Sequence, residues 1–132
     1  MKGNTTKPIE LSILPYRLAI CRLESAAQIP VSVLDGEFCS VTRTADELSI
    51  VFPEEKLNYD AKIDGGWRAF KVNGPLDFSL TGILSSIAAP LAAAQISIFA
   101  ISTFDTDYIL VKDAQLEQAR RALSEAGFKI WA

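Results

Sequence analysis

Residues 101–112, which read ISTFDTDYILVK, contain the pattern that decides the fold. Apolar residues dominate 96–103 and 108–111, and a polar segment that includes Asp105 and Asp107 separates them. Runs rich in isoleucine, valine and aromatic residues predict strands. Aspartate favours turns because its side chain can hydrogen-bond the nearby backbone. We therefore expect two strands joined by a short turn.

A helix is predicted before this pair of strands. Apolar residues recur at helical spacing after Ser79, and serine is a residue type that favours the N-cap position. Pro90 lies inside the run and is expected to bend or end the helix, because proline removes a backbone hydrogen bond. The apolar positions are Leu80, Ile83, Leu84, Ile87 and Leu91.

A second helix and two outer strands complete the second half. Asp113 is expected to cap this helix, and Gly127 lies just past its end, where glycine is favoured. Strands are predicted at 67–72 and 128–131. The order strand-helix-strand-strand-helix-strand is that of ferredoxin-like folds, in which two helices cover one face of an antiparallel sheet. The apolar face of the second helix is Leu116, Ala119, Leu123 and Ala126.

The first half of the chain has the pattern of a shortened copy. Strands are predicted at 16–23, 38–43 and 48–52, with at most one or two helical turns between the first two. The segment 64–66, Asp-Gly-Gly, predicts a turn. No fourth strand is evident before Trp67, so the two halves are expected to share or exchange a strand.

The predicted fold class is therefore α+β, with two tandem ferredoxin-like units whose antiparallel sheets carry helices on one face. The first unit is expected to span 9–63 and to be degenerate. The second unit is expected to span 64–132.

Charge and composition argue against several functions. The chain has 132 residues, a net charge of −3 and no block of lysine or arginine. Nucleic acids and anionic membranes attract basic surfaces, so we expect neither as a partner. The sequence contains no histidine, which removes the serine–histidine and cysteine–histidine catalytic arrangements. We expect a protein that is not an enzyme and has no cofactor or metal.

The cysteines and the apolar stretches predict the compartment. Cys21 and Cys39 lie in apolar runs and are expected to be buried thiols in a reducing compartment, with a cross-strand disulfide as the alternative. Residues 1–8 lack the apolar region of a signal peptide. The stretch 83–101 contains too many polar residues to span a bilayer. We expect a cytoplasmic protein.

The segment 74–82 joins a strand to a helix and is rich in small residues. The first N–H groups of a helix lack intrahelical acceptors, and the helix dipole makes this end partly positive, so it can bind a carboxylate. Gly82 would let a ligand approach the backbone closely. The alternative is an ordinary capped helix with a glycine in the loop.

The two aspartates also have alternative interpretations. Both can serve the turn alone, although Asp107 begins a strand rather than lying at the tip. An acid–base pair or a divalent-metal site would need partner groups, and none lies nearby in sequence. A carboxylate that binds the amine of a ligand, opposite helix N–H groups that bind its carboxylate, fits an amino acid.

The segment 78–112, FSLTGILSSIAAPLAAAQISIFAISTFDTDYILVK, resembles the ACT domain family of small-molecule regulatory modules. It is most similar to the branch found in the cytosolic arginine sensors of animals and in small bacterial stand-alone proteins. The similarity continues more weakly through ILPYRLAICRL, FCSVTRTADELSIVFPEE and Trp67. It implies that both halves are ACT-like units.

The resemblance also implies a binding site and an oligomer. Family members of this kind bind amino acids between ACT units, so two copies of this chain are expected to form a homodimer that completes the site. With no catalytic domain expected beside these units, output would pass through the dimer or an unknown downstream protein partner. The implied ligand-binding residues are Ser79, Leu80, Thr81, Gly82, Ile83, Ser86, Ile87, Thr103, Phe104 and Asp107.

One residue departs from the family pattern. The arginine sensors place an acidic residue where this chain has Leu80, so the resemblance implies an apolar or small polar amino acid rather than arginine. One alternative is a protein–protein interaction or dimerisation module with a vestigial pocket. Another is a small enzyme on the same scaffold, since a fold does not determine its function.

Overall fold

The computed structural model describes residues 9–56, 62–74 and 82–132. In chain order the elements of these ranges are β1 (Glu10–Ile13), β2 (Leu18–Leu23), α1 (Val31–Leu34), β3 (Ser40–Arg43), β4 (Leu48–Pro53), β5 (Lys62–Val72), α2 (Ile83–Ala93), β6 (Phe99–Ser102), β7 (Asp107–Lys112), α3 (Leu116–Glu125) and β8 (Lys129–Trp131), with short 3₁₀ helices at Glu54–Lys56 and Asp113–Gln115.

Two compact units divide the chain. One is Pro15–Arg68, and the other combines the residues up to Leu14 with Ala69–Ala132. β5 therefore contributes residues to both units, and it is the shared strand that the sequence predicts. The assignment of 9–63 and 64–132 as two ACT-like domains stays a prediction.

The unit Pro15–Arg68 has the strand order of a ferredoxin-like sheet. Its strands are hydrogen-bonded in the order β3-β4-β2-β5, and every pair is antiparallel. The shortened helix predicted from the sequence is α1, a single turn that buries Val33. The α+β fold class is confirmed. The core of this unit consists of Ala19, Cys21, Val33, Leu48, Ile50 and Phe52.

Both cysteines lie in or against this core. Cys21 is fully buried in β2, and Cys39 packs against the same cluster. Neither cysteine forms a disulfide, so the alternative of a disulfide between them is wrong. The physical reason is that β4 separates β2 from β3, the strand that follows Cys39. Burial raises the pKa of the Cys39 thiol.

The predicted turn at 64–66 is wrong, because these residues lie inside β5. Gly66 has a φ of 74°, a left-handed conformation that glycine adopts without strain. The pairing of β5 with β2 shifts register between Leu18 and Ile20, which marks a β-bulge. The Glu54 carboxylate supports the bulge by accepting a 2.6 Å hydrogen bond from the Gly66 N–H. The glycines thus bend a strand and do not end it.

The second unit has the predicted helix and strand order, with one strand added. Its strands are hydrogen-bonded in the order β6-β7-β5-β1-β8. β1 is antiparallel to β5 and parallel to β8. It therefore occupies the position beside β5 that β8 would take in a four-stranded ferredoxin-like sheet. The α2 and α3 helices pack on a core that includes Leu11, Phe70, Ile87, Leu91, Ile109, Val111 and Leu123.

The N-caps of both helices differ from the predictions. α2 begins at Ile83, so Gly82 is its N-cap, and the predicted cap Ser79 lies outside the described residues. α2 continues through Pro90 to Ala93, so the proline does not end the helix, and a bend there stays a prediction. A 3₁₀ turn that starts at Asp113 precedes α3, so Asp113 does not cap that helix. Gly127, at φ 102°, follows α3 as predicted.

Candidate functional site

The turn between β6 and β7 is tied together by its own hydroxyl groups. The Thr103 N–H donates to the Thr106 carbonyl at 2.8 Å. The Thr103 Oγ1 donates to the same carbonyl at 3.0 Å and accepts from the Thr106 N–H at 3.2 Å. The opening segment therefore forms a turn, as the sequence predicts, and the turn-forming side chains are threonines rather than aspartates.

Thr106 also joins this turn to the end of β5. Its side chain is 6% exposed, and its Oγ1 donates a 2.5 Å hydrogen bond to the Val72 carbonyl. Burying a hydroxyl costs free energy unless it is hydrogen-bonded, so this hydrogen bond stabilises the buried position of the Thr106 side chain. The start of β7 and the end of β5 therefore meet at one end of the sheet.

Asp107 is the first residue of β7 and lies opposite Ser102 of β6. The Ser102 Oγ donates a 2.6 Å hydrogen bond to the Asp107 Oδ1. Ile109 and Val111 lie on the same face of β7 as Asp107, because side chains alternate along a strand. Both pack in the core with α2. Asp107 thus lies on the helix-covered face, with one oxygen held by a serine.

The first turn of α2 lies on this same face. Gly82 is exposed and left-handed, and its carbonyl accepts from the Ser86 N–H at 2.8 Å. The exposed Ser86 donates its hydroxyl to the Ile83 carbonyl at 2.7 Å. Ile83 packs against the core, and Ile87 is fully buried in it. The N-terminal end of α2 therefore presents backbone groups and small side chains.

Some of the implied ligand-binding residues lie on the same face of the sheet. Gly82, Ile83 and Ser86 lie in the first turns of α2, and Asp107 lies on the face that α2 covers. Thr103 is in the adjoining turn, and Phe104, at the tip of that turn, is 81% exposed. The side chain of Ile87 supports α2 from the core. The implied residues Ser79, Leu80 and Thr81 lie outside the described residues.

A cavity of about 190 Å³ lies beside the same turn. Sequence reasoning missed two of its residues, Lys71 and Tyr108. For Lys71, the sequence signal that could have found it is the alternation of side chains along β5. Lys71 lies between the buried residues Phe70 and Val72, so its side chain is on the face of the sheet opposite to theirs. The cavity is lined by Lys71, Gly74, Thr103, Asp105, Thr106 and Tyr108.

Two other features of the described ranges bear on function. Among those residues, no group of three or more histidine, cysteine, aspartate and glutamate side chains could hold a metal ion. In the same ranges, no helix has the length and apolar character needed to cross a membrane.

The element order and strand pairing define an α+β protein of the ferredoxin-like class. The family model of the ACT domain matches residues 62–125, which include all of β5, α2, β6, β7 and α3. A second family model, which describes an N-terminal domain, matches residues 17–60.

Known proteins with related sequences and folds agree with this match. The cytosolic arginine sensor for mTORC1 subunit 1 of Mus musculus is 45% identical over 86 residues, which are 64% of this chain and 25% of the sensor. This chain therefore spans about a quarter of that sensor. A crystal structure of a protein from Agrobacterium tumefaciens has 41% identity and a TM-score of 0.88, and the match covers 95% of this chain and 93% of the other.

A more distant structure shares the fold. The ligand-free regulatory subunit of aspartate kinase from Thermus thermophilus has a TM-score of 0.62 at 13% identity, and the match covers 86% of this chain and 96% of that chain. The family model and the sensor sequence together show that residues 62–125 of this chain belong to the ACT domain family.

Proposed function

We propose that this chain is a non-catalytic regulatory module that binds a small amino acid at an interface between ACT units. The observation that carries the proposal is the position of Asp107. It lies on the sheet face that α2 covers, next to the 103–106 turn, which Thr106 joins to the end of β5. Its carboxylate would bind the ammonium group of the ligand. The N–H groups in the first turn of α2 would bind the ligand's carboxylate.

The ligand is proposed to be an apolar or small polar amino acid. The mouse relative is named as an arginine sensor, and by resemblance such sensors place an acidic residue where this chain has Leu80. A guanidinium group needs a carboxylate or other acceptors around it, because burying an unpaired cation is costly. Leucine provides no acceptor, so the side chain of the ligand is expected to be uncharged.

A second copy of the chain is proposed to complete the site. Gly82, Ser86 and Phe104 are all exposed on one chain. Phe104 is 81% exposed, which leaves a large apolar side chain in water beside the turn. An ACT unit of a partner copy would cover it and enclose the ligand. We propose that this dimer acts in the cytoplasm and signals through a downstream protein.

The first experiment is a thermal-shift screen of the purified chain against the twenty amino acids. A ligand that binds the folded state raises the melting temperature by mass action. We expect a selective rise with one amino acid or a small set of similar ones. Asp107→Asn keeps an acceptor for Ser102 but removes the charge, and we expect it to weaken binding by about tenfold or more. An unchanged affinity in this variant would remove Asp107 from the site.

Asp46→Asn is the matched control for this experiment. Asp46 is an exposed aspartate in the turn between β3 and β4. The Thr44 Oγ1 organises that turn by accepting hydrogen bonds from the N–H groups of Asp46 and Glu47. Asp46→Asn removes the same charge in the other unit, so this variant should bind the ligand with the same affinity as the unmodified chain.

The alternative function is a protein–protein interaction or dimerisation module. The observation that favours it is the 2.6 Å hydrogen bond from Ser102 to Asp107, which already provides a partner for one carboxylate oxygen. In that case no rise in melting temperature would depend on Asp107, while the chain would still form a dimer. Dimerisation without any Asp107-dependent ligand response would therefore replace the sensor proposal with this one.

A further inference from the structure

The cavity beside the 103–106 turn has two lining residues of opposite charge. Lys71 lies on β5 and is half-buried, whereas Asp105 lies in the turn and is exposed. Among the described residues, neither side chain makes a hydrogen bond or an ion pair with the other or with any neighbour. Two side chains of opposite charge therefore line the same cavity of about 190 Å³ without forming an ion pair with each other.

This cavity is separate from the face that carries Asp107. Lys71 alternates with Phe70 and Val72, and Tyr108 alternates with Asp107 and Ile109. Phe70, Val72 and Ile109 all pack in the core beneath the helices. Because successive side chains of a strand point to opposite faces, Lys71 and Tyr108 lie on the face away from α2 and α3.

Two of the threonines that line the cavity are held in place by hydrogen bonds within the protein. Thr106 is buried, and its hydroxyl is anchored to the Val72 carbonyl. The Thr103 hydroxyl is bonded to the backbone of Thr106 in both directions. Each threonine oxygen can accept more than one hydrogen bond, so these groups keep acceptor capacity toward the cavity. A small polar ligand would meet a preorganised surface, which lowers the entropy lost on binding.

We propose that this cavity is a second binding site, for a small zwitterion that carries one carboxylate and one ammonium group. Lys71 binds the carboxylate, and Asp105 binds the ammonium group. A simple anion would be repelled by Asp105 and a simple cation by Lys71, so the pair of charges selects a molecule that carries both. The proposal concerns one chain and does not depend on a dimer or on Asp107.

The test is a titration followed by NMR amide chemical shifts of the full chain, with glycine as the zwitterionic probe. Acetate and methylammonium are the singly charged probes. We expect glycine to shift the amides of Lys71, Gly74 and 103–108. We expect acetate and methylammonium to bind there about tenfold more weakly or not at all, since each satisfies only one charge. Absence of glycine-induced shifts at these amides would overturn the proposal.

Charge-removing variants test the two roles separately. Lys71→Gln and Asp105→Asn are each expected to weaken glycine binding about tenfold, with the unperturbed amides showing that the fold is intact. Glycine binding that survives both changes would overturn the proposal, and so would acetate binding as tightly as glycine. Lys62→Gln, an exposed position of the same strand, is the matched control.

The same spectra separate this site from the proposed amino-acid sensor. Asp107→Asn should leave the glycine-induced shifts of Lys71 and Gly74 unchanged, because Asp107 lies on the other face. Loss of those shifts in Asp107→Asn would contradict the assignment to a second site. A rise in melting temperature that persists in Asp107→Asn but is lost in Lys71→Gln would instead count against the sensor alone.

Discussion

At the scale of the residue, Glu54 explains why two glycines stand together inside a strand. Its carboxylate accepts the Gly66 N–H, and a Cβ added at Gly65 would collide with its Oε1. A side chain at Gly65 would therefore displace the Glu54 carboxylate, whereas Gly66 is favoured by its positive φ. The two glycines have different physical reasons, and substitutions at them should behave differently.

Gly65→Ala should lower the free energy of unfolding by about 1–3 kcal/mol, because Glu54 must move and its hydrogen bond to Gly66 is lost. Urea denaturation measures this change. The control is a double-mutant cycle with Glu54→Ala: without the carboxylate, Gly65→Ala should cost much less. Equal costs of Gly65→Ala in both backgrounds would show that Glu54 is not the cause.

At the scale of the element, β1 joins β8 to the rest of its sheet. Leu11 pairs with Val72 on one side and with Ile130 on the other. Its side chain is fully buried in the core that carries α2 and α3. The indole of Trp131 donates a 2.8 Å hydrogen bond to the Glu10 carboxylate, which adds a side-chain link between the two strands. β8 therefore depends on β1 for its backbone partners.

Leu11→Ala should lower the free energy of unfolding by about 2–5 kcal/mol, the usual cost of removing a large aliphatic side chain from a core. Amide hydrogen exchange should also speed up in β8, because its partner strand is weakened. Val31→Ala is the control, since Val31 is 78% exposed and should change stability by no more than about 0.5 kcal/mol. Unchanged exchange in β8 would contradict its dependence on β1.

At the scale of the whole molecule, the proposed function depends on a second copy of the chain. The proposed interface contains the exposed N-terminal part of α2 and the exposed Phe104. The family resemblance implies the same region, since Ser86 corresponds to a position that an adjacent ACT unit contributes. A long charged side chain there would place an unpaired cation in the interface, which is unfavourable.

Ser86→Arg should therefore shift the molar mass measured by light scattering from that of two chains toward that of one. Ser124→Arg, an exposed serine on α3, should leave the mass unchanged. A dimer that persists in Ser86→Arg would exclude this part of α2 from the interface. A single-chain mass in the unmodified protein would remove the dimer from the proposed function.

Prediction from sequence worked where the signal is local. The alternation around the 103–106 turn and the helical spacing of Leu116, Ala119 and Leu123 both correspond to the observed elements, and these three positions are buried. The fourth predicted position of that helix face, Ala126, is exposed and lies just past the end of α3. The candidate site was predicted only in part. Asp107 stood out by its position at the start of a strand, but Lys71 has no distinguishing neighbours and becomes notable only beside Asp105 in the fold.

The sequence by itself determined the ferredoxin-like class and the order of helices and strands after β1, because apolar periodicity reports which face of each element is buried. It did not predict β1. Only the tertiary structure decided that β1 lies between β5 and β8 and that the Asp-Gly-Gly segment bends a strand without ending it. It also decided that Lys71 and Asp105 share a cavity while Asp107 lies on the other face. These outcomes depend on contacts between residues far apart in the chain, which no local pattern contains.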